Sequence, residues 1–295
     1  MIEPFRVFDV HVSDVSRLSD SFLRLTFTGD DLDLFADNGF DQRIKLILPL
    51  PGHGVSGMPR GADWFTRWRA LPDRERNPLR TYTVRAVRPE LREVDVDIVL
   101  HGDGGPAARW ANSARPGDRI ALFGPDAGYG ERHGGLEFRP PTGARRFLMA
   151  GDETAVPAIT AILERLPDGC EGEALMEVPS QGDVLPCATG SGVTVTWLPR
   201  GGGGVGSRLV PEVKAAADRL LPPQAPVEAL EDVDVDVDLL WEVPEEAESV
   251  APLYAWLAGE AAVIRTLRRH LVAERGMDRR AVAFMGYWRM GRAED

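Results

Sequence analysis

The sequence predicts two folded units of different class, an antiparallel six-stranded β-barrel followed by a parallel-sheet α/β domain. Three observations carry that reading. A chain of 295 residues holds about two domains at roughly 100 to 200 residues each. Its first half is a series of short β-branched runs, several alternating apolar and polar with period two, separated by Gly, Pro and Asp. Its second half alternates apolar strand-like runs with helical ones, the pattern of a doubly wound sheet.

Taken in order, the strands of the first half are FRVFDVHVSDVSRL, SFLRLTFTG, RIKLILPL, RTYTVRAVRPEL, REVDVDIVLHG and DRIALFGP, enough to close a small barrel. Between the third and fourth lies a long loop, Pro51 to Pro78, rich in Arg and carrying Trp64 and Trp68, which reads as a lid. In GPAARWANSARPGD, Pro106 stands near the first position of a short helix and Gly117 beyond its end. The unit boundary is expected near Pro140 to Ala144, giving domains 1–142 and 143–295. RRFLMAGDE is then a buried strand, a helix runs to about Leu166, GEALMEVPS and GVTVTWLP are strands, and Pro211 to Leu221 is helical. YAWLAGE is a strand, Ala261 to Arg275 a helix, and AVAFMGYW the final strand.

Charge is distributed unevenly. The net charge is −12, yet residues 222–252 hold ten acids and no Lys or Arg, which leaves −2 for the rest of the chain. This stretch, with its DVDVDVD run, reads as a charged surface insertion. Arg60 to Arg85 and Ala262 to Arg292 are local basic clusters, too small and too poor in interleaved aromatics for a nucleic-acid surface and better suited to a small anion. Cys170 and Cys187 are too few for a disulfide framework, and the five histidines are scattered, so no metal site is expected. The N-terminus lacks the basic end and apolar run of a signal peptide, and no run of about 18 apolar residues occurs. The expected setting is cytoplasmic, without membrane or nucleic-acid partners.

Two segments carry chemistry. RTYTVR, Arg80 to Arg85, can offer an Arg to a phosphate, a Tyr to a flat ring, and Thr83 to a polar ring edge. About 20 residues on, HGDGGPAARWA supplies glycines for close backbone approach and a helix N-terminus for a pyrophosphate. Together with GDETAVPAI, AGEA, RRHLVAERG and GYWRMG, these segments closely resemble the siderophore-interacting protein family of FAD-containing ferric-siderophore reductases.

The resemblance implies a ferredoxin-reductase-like layout, an FAD-binding barrel joined to an NAD(P)H-binding domain. It implies an FAD shell of Arg80, Tyr82, Thr83, His101, Gly104, Gly105, Ala107 and Ala108. On the nicotinamide side it points to Asp152, Glu153 and Thr154 at a turn where the wider class has a glycine-rich loop, and to Gly259 and Glu260, with Arg265, Arg268 or Arg269 for phosphates. Tyr287 or Trp288 is expected to cover the flavin. Lys45 and Arg289 are expected to receive an anionic ferric siderophore; where a third basic residue would follow the GP of GPDAGY stand Asp126 and Ala127, with Arg132 as a substitute. No protein group is expected to do bond chemistry. The implied cofactor is FAD with NADH or NADPH as donor; a siderophore carrier without reductase activity, or a reductase serving ferredoxin or free flavin, are the competing readings.

Overall fold

The computed structural model describes residues 2–100, 105–222, 240–244 and 253–291. Its contacts divide the described chain into two compact units, one up to Leu136 and one beginning at Glu137.

The first unit is a closed antiparallel barrel of β1 (Phe5–Arg17), β2 (Phe22–Thr28), β3 (Arg43–Ile47), β4 (Leu79–Arg88), β5 (Glu93–Val99) and β6 (Arg119–Pro125), in spatial order β1-β2-β5-β4-β3-β6. Alternation does the work. In β1, Phe8, Val10 and Val12 are buried while Asp9 and His11 face water. In β5, Val94, Val96 and Ile98 fill the barrel, and the intervening Asp95 and Asp97 lie beneath arginines of neighbouring strands, Arg88 at 2.6 Å and Arg24 at 2.7 Å.

The loop between β3 and β4 is pinned to the barrel and carries a one-turn helix, α1 (Trp64–Arg69). Trp64 is buried in a cluster with Ile47, Met58, Leu79 and Ala121, and the Trp68 indole donates to the Asn77 carbonyl at 2.9 Å. The amide of the buried Asn77 in turn donates to the carbonyls of Leu48 and Gly54. A segment stitched down in this way is a wall of the barrel, which corrects the reading of it as a lid. The predicted helix after β5 is α2 (Pro106–Ser113), with Pro106 in its first turn and Ala107 and Ala111 in the barrel core.

The second unit is a six-stranded sheet in the order β10-β12-β11-β7-β8-β9. Its five long strands, β7 (Arg146–Gly151), β8 (Glu171–Val178), β9 (Gly192–Pro199), β11 (Tyr254–Glu260) and β12 (Val282–Trp288), pair in parallel. The near-continuous burial of β7 and β11 is what a strand covered on both faces requires. Gly172 of β8 sits at φ 131° with the place of a Cβ 1.9 Å from the Phe147 carbonyl oxygen, so any side chain there would force β7 and β8 apart. Helices α3 (Val156–Arg165), α4 (Leu209–Leu220) and α5 (Ala261–Arg268) pack on the sheet, α4 and α5 sharing one apolar cluster.

Two expectations are corrected here. The helix predicted from Ala261 to Arg275 is α-helical only to Arg268 and widens to a π-helical turn over Arg269–Glu274. The acidic stretch is not wholly a surface insertion: β10 (Trp241–Glu242) pairs antiparallel with β12, and Leu240 is 1% exposed in the core. The DVDVDVD run lies outside the described residues.

Candidate functional site

In the barrel unit the RTYTVR segment falls on β4, and the pleat sorts its side chains. Arg80 pairs with Leu46 and Tyr82 with Ile44, so both share the face that holds the barrel core. Thr81 and Lys45 pair on the opposite face, where the Lys45 ammonium donates to the Thr81 hydroxyl at 3.1 Å. Lys45 lies in the middle of β3. Tyr82 packs against the same apolar cluster that takes in Ala107 of α2, so the fold brings these two predicted segments together. Burial pushes the Tyr82 phenol up to about 12, against a pull downward from Arg80, and the hydroxyl therefore stays protonated at neutral pH. Thr83 is 5% exposed. Gly105 is the N-cap of α2, and among the described residues no side chain caps the helix there and none beyond its chain neighbours comes within 4 Å of where a Gly105 Cβ would be. His101 and Gly104 lie outside the described residues.

Much of the basic cluster around α1 is paired internally: Arg60 with Asp9, Arg67 with Asp63, Arg74 with Glu75 and Arg76 with Asp73, while Arg85 approaches Asp97. Asp126 is nearly buried, accepts from the Gly128 amide at 2.8 Å and faces Arg6 at 3.8 Å, whereas Arg132 is exposed.

In the second unit the strand ends form the carboxyl edge where open α/β sheets bind ligands. Acids crowd this edge. Glu153 is fully buried and held by both terminal nitrogens of Arg200 at 2.6 Å, a contact that raises the Arg200 pKa. Glu177, also fully buried, accepts from the amides of Gly206 at 2.9 Å and Leu209 at 2.8 Å at the start of α4. Glu260 is the N-cap of α5 and accepts from Ala262 at 2.8 Å and Val263 at 3.0 Å. Asp152 is 1% exposed and accepts from the Glu260 amide at 2.7 Å and the Trp288 indole at 2.8 Å. Burial first, then the charge of Glu153, push Asp152 up to about 6.

Several of the residues expected on the nicotinamide side have partners within the protein. The first amides of α5, expected to lie beside the nucleotide with Gly259, bond the protein's own Glu260 carboxylate. Arg268, expected at a phosphate, is 3% exposed and forms a two-point ion pair with Glu242 at 3.0 and 2.8 Å. Arg265 is half-buried and Arg269 exposed. Tyr287 stacks on Trp241 with ring centroids 5.8 Å apart and meets Trp256 edge-on at 6.2 Å, while Arg289 is half-buried just beyond the end of β12.

Sequence comparison adds a family to this geometry. Residues 11–129 match the model of the siderophore-interacting FAD-binding domain, and residues 144–291 match that of the siderophore-interacting protein. The chain belongs to the siderophore-interacting protein family. Relatives span its length: Rv2895c of Mycobacterium tuberculosis is 35% identical over 99% of this chain and 93% of its own. The ferric vibriobactin reductase ViuB of Vibrio cholerae is 30% identical over 94% of this chain and 88% of its own. The NADPH-dependent ferric-chelate reductase of Escherichia coli is 28% identical over 96% and 93%. Among solved structures, the siderophore-interacting protein SipS of Aeromonas hydrophila superposes with a TM-score of 0.69 at 30% identity, covering 98% of this chain and 94% of SipS. A ferredoxin reductase of carbazole 1,9a-dioxygenase, at 15% identity and TM-score 0.58 over 98% of this chain and 71% of its own, shares the fold. Among the described residues no helix is long and apolar enough to cross a membrane.

Family motifs did not lead to Glu177 or to Arg200, the partner of Glu153, at the carboxyl edge, nor to Glu242 as the partner of Arg268. One signal was present. An acid inside an apolar strand end, as in ALMEV, must find donors when buried, and the nearest helix N-terminus supplies them.

Proposed function

We propose that the chain is a flavin-dependent reductase of ferric siderophores that takes electrons from NADH or NADPH and passes them to Fe(III). The observation that carries this reading is the pairing, in one barrel, of the Arg80 to Thr83 strand with the N-terminus of α2, which no side chain caps among the described residues, within a segment matching a siderophore-interacting FAD-binding domain. The residues fit such a cofactor. Arg80 supplies a cation for a diphosphate, the amides of Ala107 and Ala108 open the helix behind Gly105, and Tyr82 supplies a ring whose hydroxyl remains a donor. When bound, FAD supplies the conversion between a two-electron hydride donor and a one-electron acceptor.

The chain's own residues bind and orient. Thr83, with Arg80 and Tyr82, serves the flavin, and His101 and Gly104 are assigned to the same shell. Asp152, Thr154, Gly259, Glu260, Tyr287 and Trp288 belong to the cofactor side of the second unit. Lys45 and Arg289 receive the anionic ferric complex, holding a diffuse charge without entering the metal's coordination. Fe(III) is a hard cation held by oxygen donors, and lowering its charge weakens the chelate, so reduction is itself the release step. ViuB and the Escherichia coli ferric-chelate reductase, aligned over nearly the whole chain, support this reading.

The test is anaerobic stopped-flow mixing of the purified chain with NADH or NADPH, then with a ferric siderophore. Bleaching of the flavin by the nucleotide and its recovery with formation of Fe(II) are expected. A colourless protein that takes up no FAD, or a reduced flavin that ferric siderophores leave untouched, would overturn the proposal.

A further inference from the structure

The Asp152 carboxylate is where three strand ends meet. One oxygen accepts the Thr154 amide at 2.9 Å and the Thr154 hydroxyl, at the end of β7. The other accepts the Glu260 amide at 2.7 Å, at the end of β11, and the Trp288 indole at 2.8 Å, at the end of β12. A carboxylate has about four acceptor directions, so this buried group has no capacity left for a ribose or an amide of a bound nucleotide. The backbone is shaped around it. Gly259 stands at φ 150°, and a Cβ there would lie 2.6 Å from the Asp152 oxygen.

A second acid acts on the same segment. Besides capping α5, Glu260 accepts the Met290 amide at 3.3 Å. Trp288 and Met290, on either side of Arg289, are thus each held by a carboxylate from another strand. A neutral acceptor would satisfy the indole at a lower desolvation cost; the carboxylate is what allows four donors from three strand ends to converge.

We propose that Asp152 is a positioning residue: it fixes the Trp288 indole and, with Glu260, sets the course of the chain through Arg289, and it does not itself bind the nucleotide. This rests on the assignment, under Proposed function, of Trp288 to the cofactor and Arg289 to the ferric complex.

The test uses the full chain loaded with FAD and compares Asp152→Ala, Asp152→Asn, Trp288→Phe and the Asp152→Ala/Trp288→Phe double variant. Flavin absorption and fluorescence are read first, then kcat and KM with NADH and NADPH, and with ferric dicitrate as the anionic iron complex. Asp152→Ala and Trp288→Phe should shift the flavin spectrum in the same sense, with nothing further in the double variant. Turnover of ferric dicitrate by Asp152→Ala should fall about tenfold, the scale of one lost charge-assisted hydrogen bond, with the KM for either nucleotide within about twofold of wild type. Asp152→Asn, which keeps one carbonyl acceptor, should recover part of the loss, and it carries the comparison if Asp152→Ala does not fold. An unchanged flavin spectrum with a nucleotide KM raised about tenfold would make Asp152 a nucleotide ligand and overturn the proposal, as would additive effects in the double variant. If the wild type takes up no FAD, the reading under Proposed function fails. Positioning is then decided in the FAD-free chain by the Trp288 emission, taken as wild type minus Trp288→Phe: a shift in Asp152→Asn supports the anchor, and an unchanged band overturns it.

Discussion

Glu242→Ala should destabilise the second unit far more than Arg279→Ala, although both side chains share one ion-pair cluster. Arg268 is 3% exposed and donates twice to Glu242, so removing the carboxylate takes two charge-assisted hydrogen bonds from a buried guanidinium. Breaking a buried pair from one side costs about 3–5 kcal/mol. Glu242 is itself 28% exposed, so water reaches part of the gap, and the expected loss is at the lower end, about 3 kcal/mol. Arg279 touches the same carboxylate at 3.1 Å but is 58% exposed, and its removal should cost under about 1 kcal/mol. For a unit of this size, 3 kcal/mol corresponds to a fall in Tm of roughly 6–12 °C. Thermal unfolding followed by near-ultraviolet dichroism, which reports the buried Trp256 and the stacked Trp241, reads the difference. Replacing both partners, Glu242→Leu with Arg268→Met, should restore most of the stability and leave NADPH affinity unchanged. Should Glu242→Ala melt with wild type, or should the double replacement lose NADPH while keeping NADH, Arg268 is a phosphate ligand and the structural reading of this pair is wrong.

Three further outcomes are expected. Burial lifts Asp152 from 3.8 to about 6, so the folded chain keeps a proton that the unfolded chain releases. The associated stability is fully present below about pH 4 and lost as pH rises through about 6, on the order of 3 kcal/mol in all. Urea unfolding of Asp152→Asn against wild type should therefore show a difference that moves in the variant's favour across this window, and a pH-independent difference would contradict it. Arg80→Ala or Tyr82→Ala should weaken FAD retention by roughly 1–3 kcal/mol, measured as flavin released on dilution; full retention in both would remove them from the cofactor shell. Lys45→Ala and Arg289→Ala should lower kcat/KM for an anionic ferric siderophore, more so at low salt where screening is weak, with FAD content unchanged; wild-type rates at every ionic strength would exclude both residues.

How much of this was legible in the chain depends on the range of the interaction. The barrel strands announce themselves because alternation is local: Phe8, Val10 and Val12 need no partner's identity to be read as one face. The start of α2 is likewise written in Pro106. The widening of α5 into a π-helical turn has no compositional mark, because a bond to the fifth residue instead of the fourth uses the same side chains. The burial of Arg268 was hidden for a different reason: its carboxylate lies 26 residues away, in an acidic stretch whose composition reads as solvated surface. The same holds at the candidate site. Arg80 and Tyr82 share a face by simple alternation, whereas the convergence of Asp152, Glu260 and Trp288 exists only once three parallel strands are in register.

The two units treat their helix N-termini in opposite ways, and the contrast fits the division of labour proposed for them. In the barrel, α2 opens at Gly105 with no capping side chain among the described residues, and the proposed reading gives its first amides to the flavin's diphosphate. In the sheet, α4 and α5 open onto Glu177 and Glu260, internal carboxylates that take the place a phosphate would otherwise fill. A resident cofactor must survive many turnovers and gains from every amide that can reach its diphosphate. An electron donor must leave after each one, and a crevice that has already spent two of its helix N-termini on its own side chains holds an anionic donor less tightly. The buried Glu153 acts in the same direction, because it engages Arg200, a guanidinium at the carboxyl edge that could otherwise clamp a phosphate. In the proposed reductase the acids of the second unit would favour exchange of the donor, and the start of α2 in the first would favour retention of the flavin.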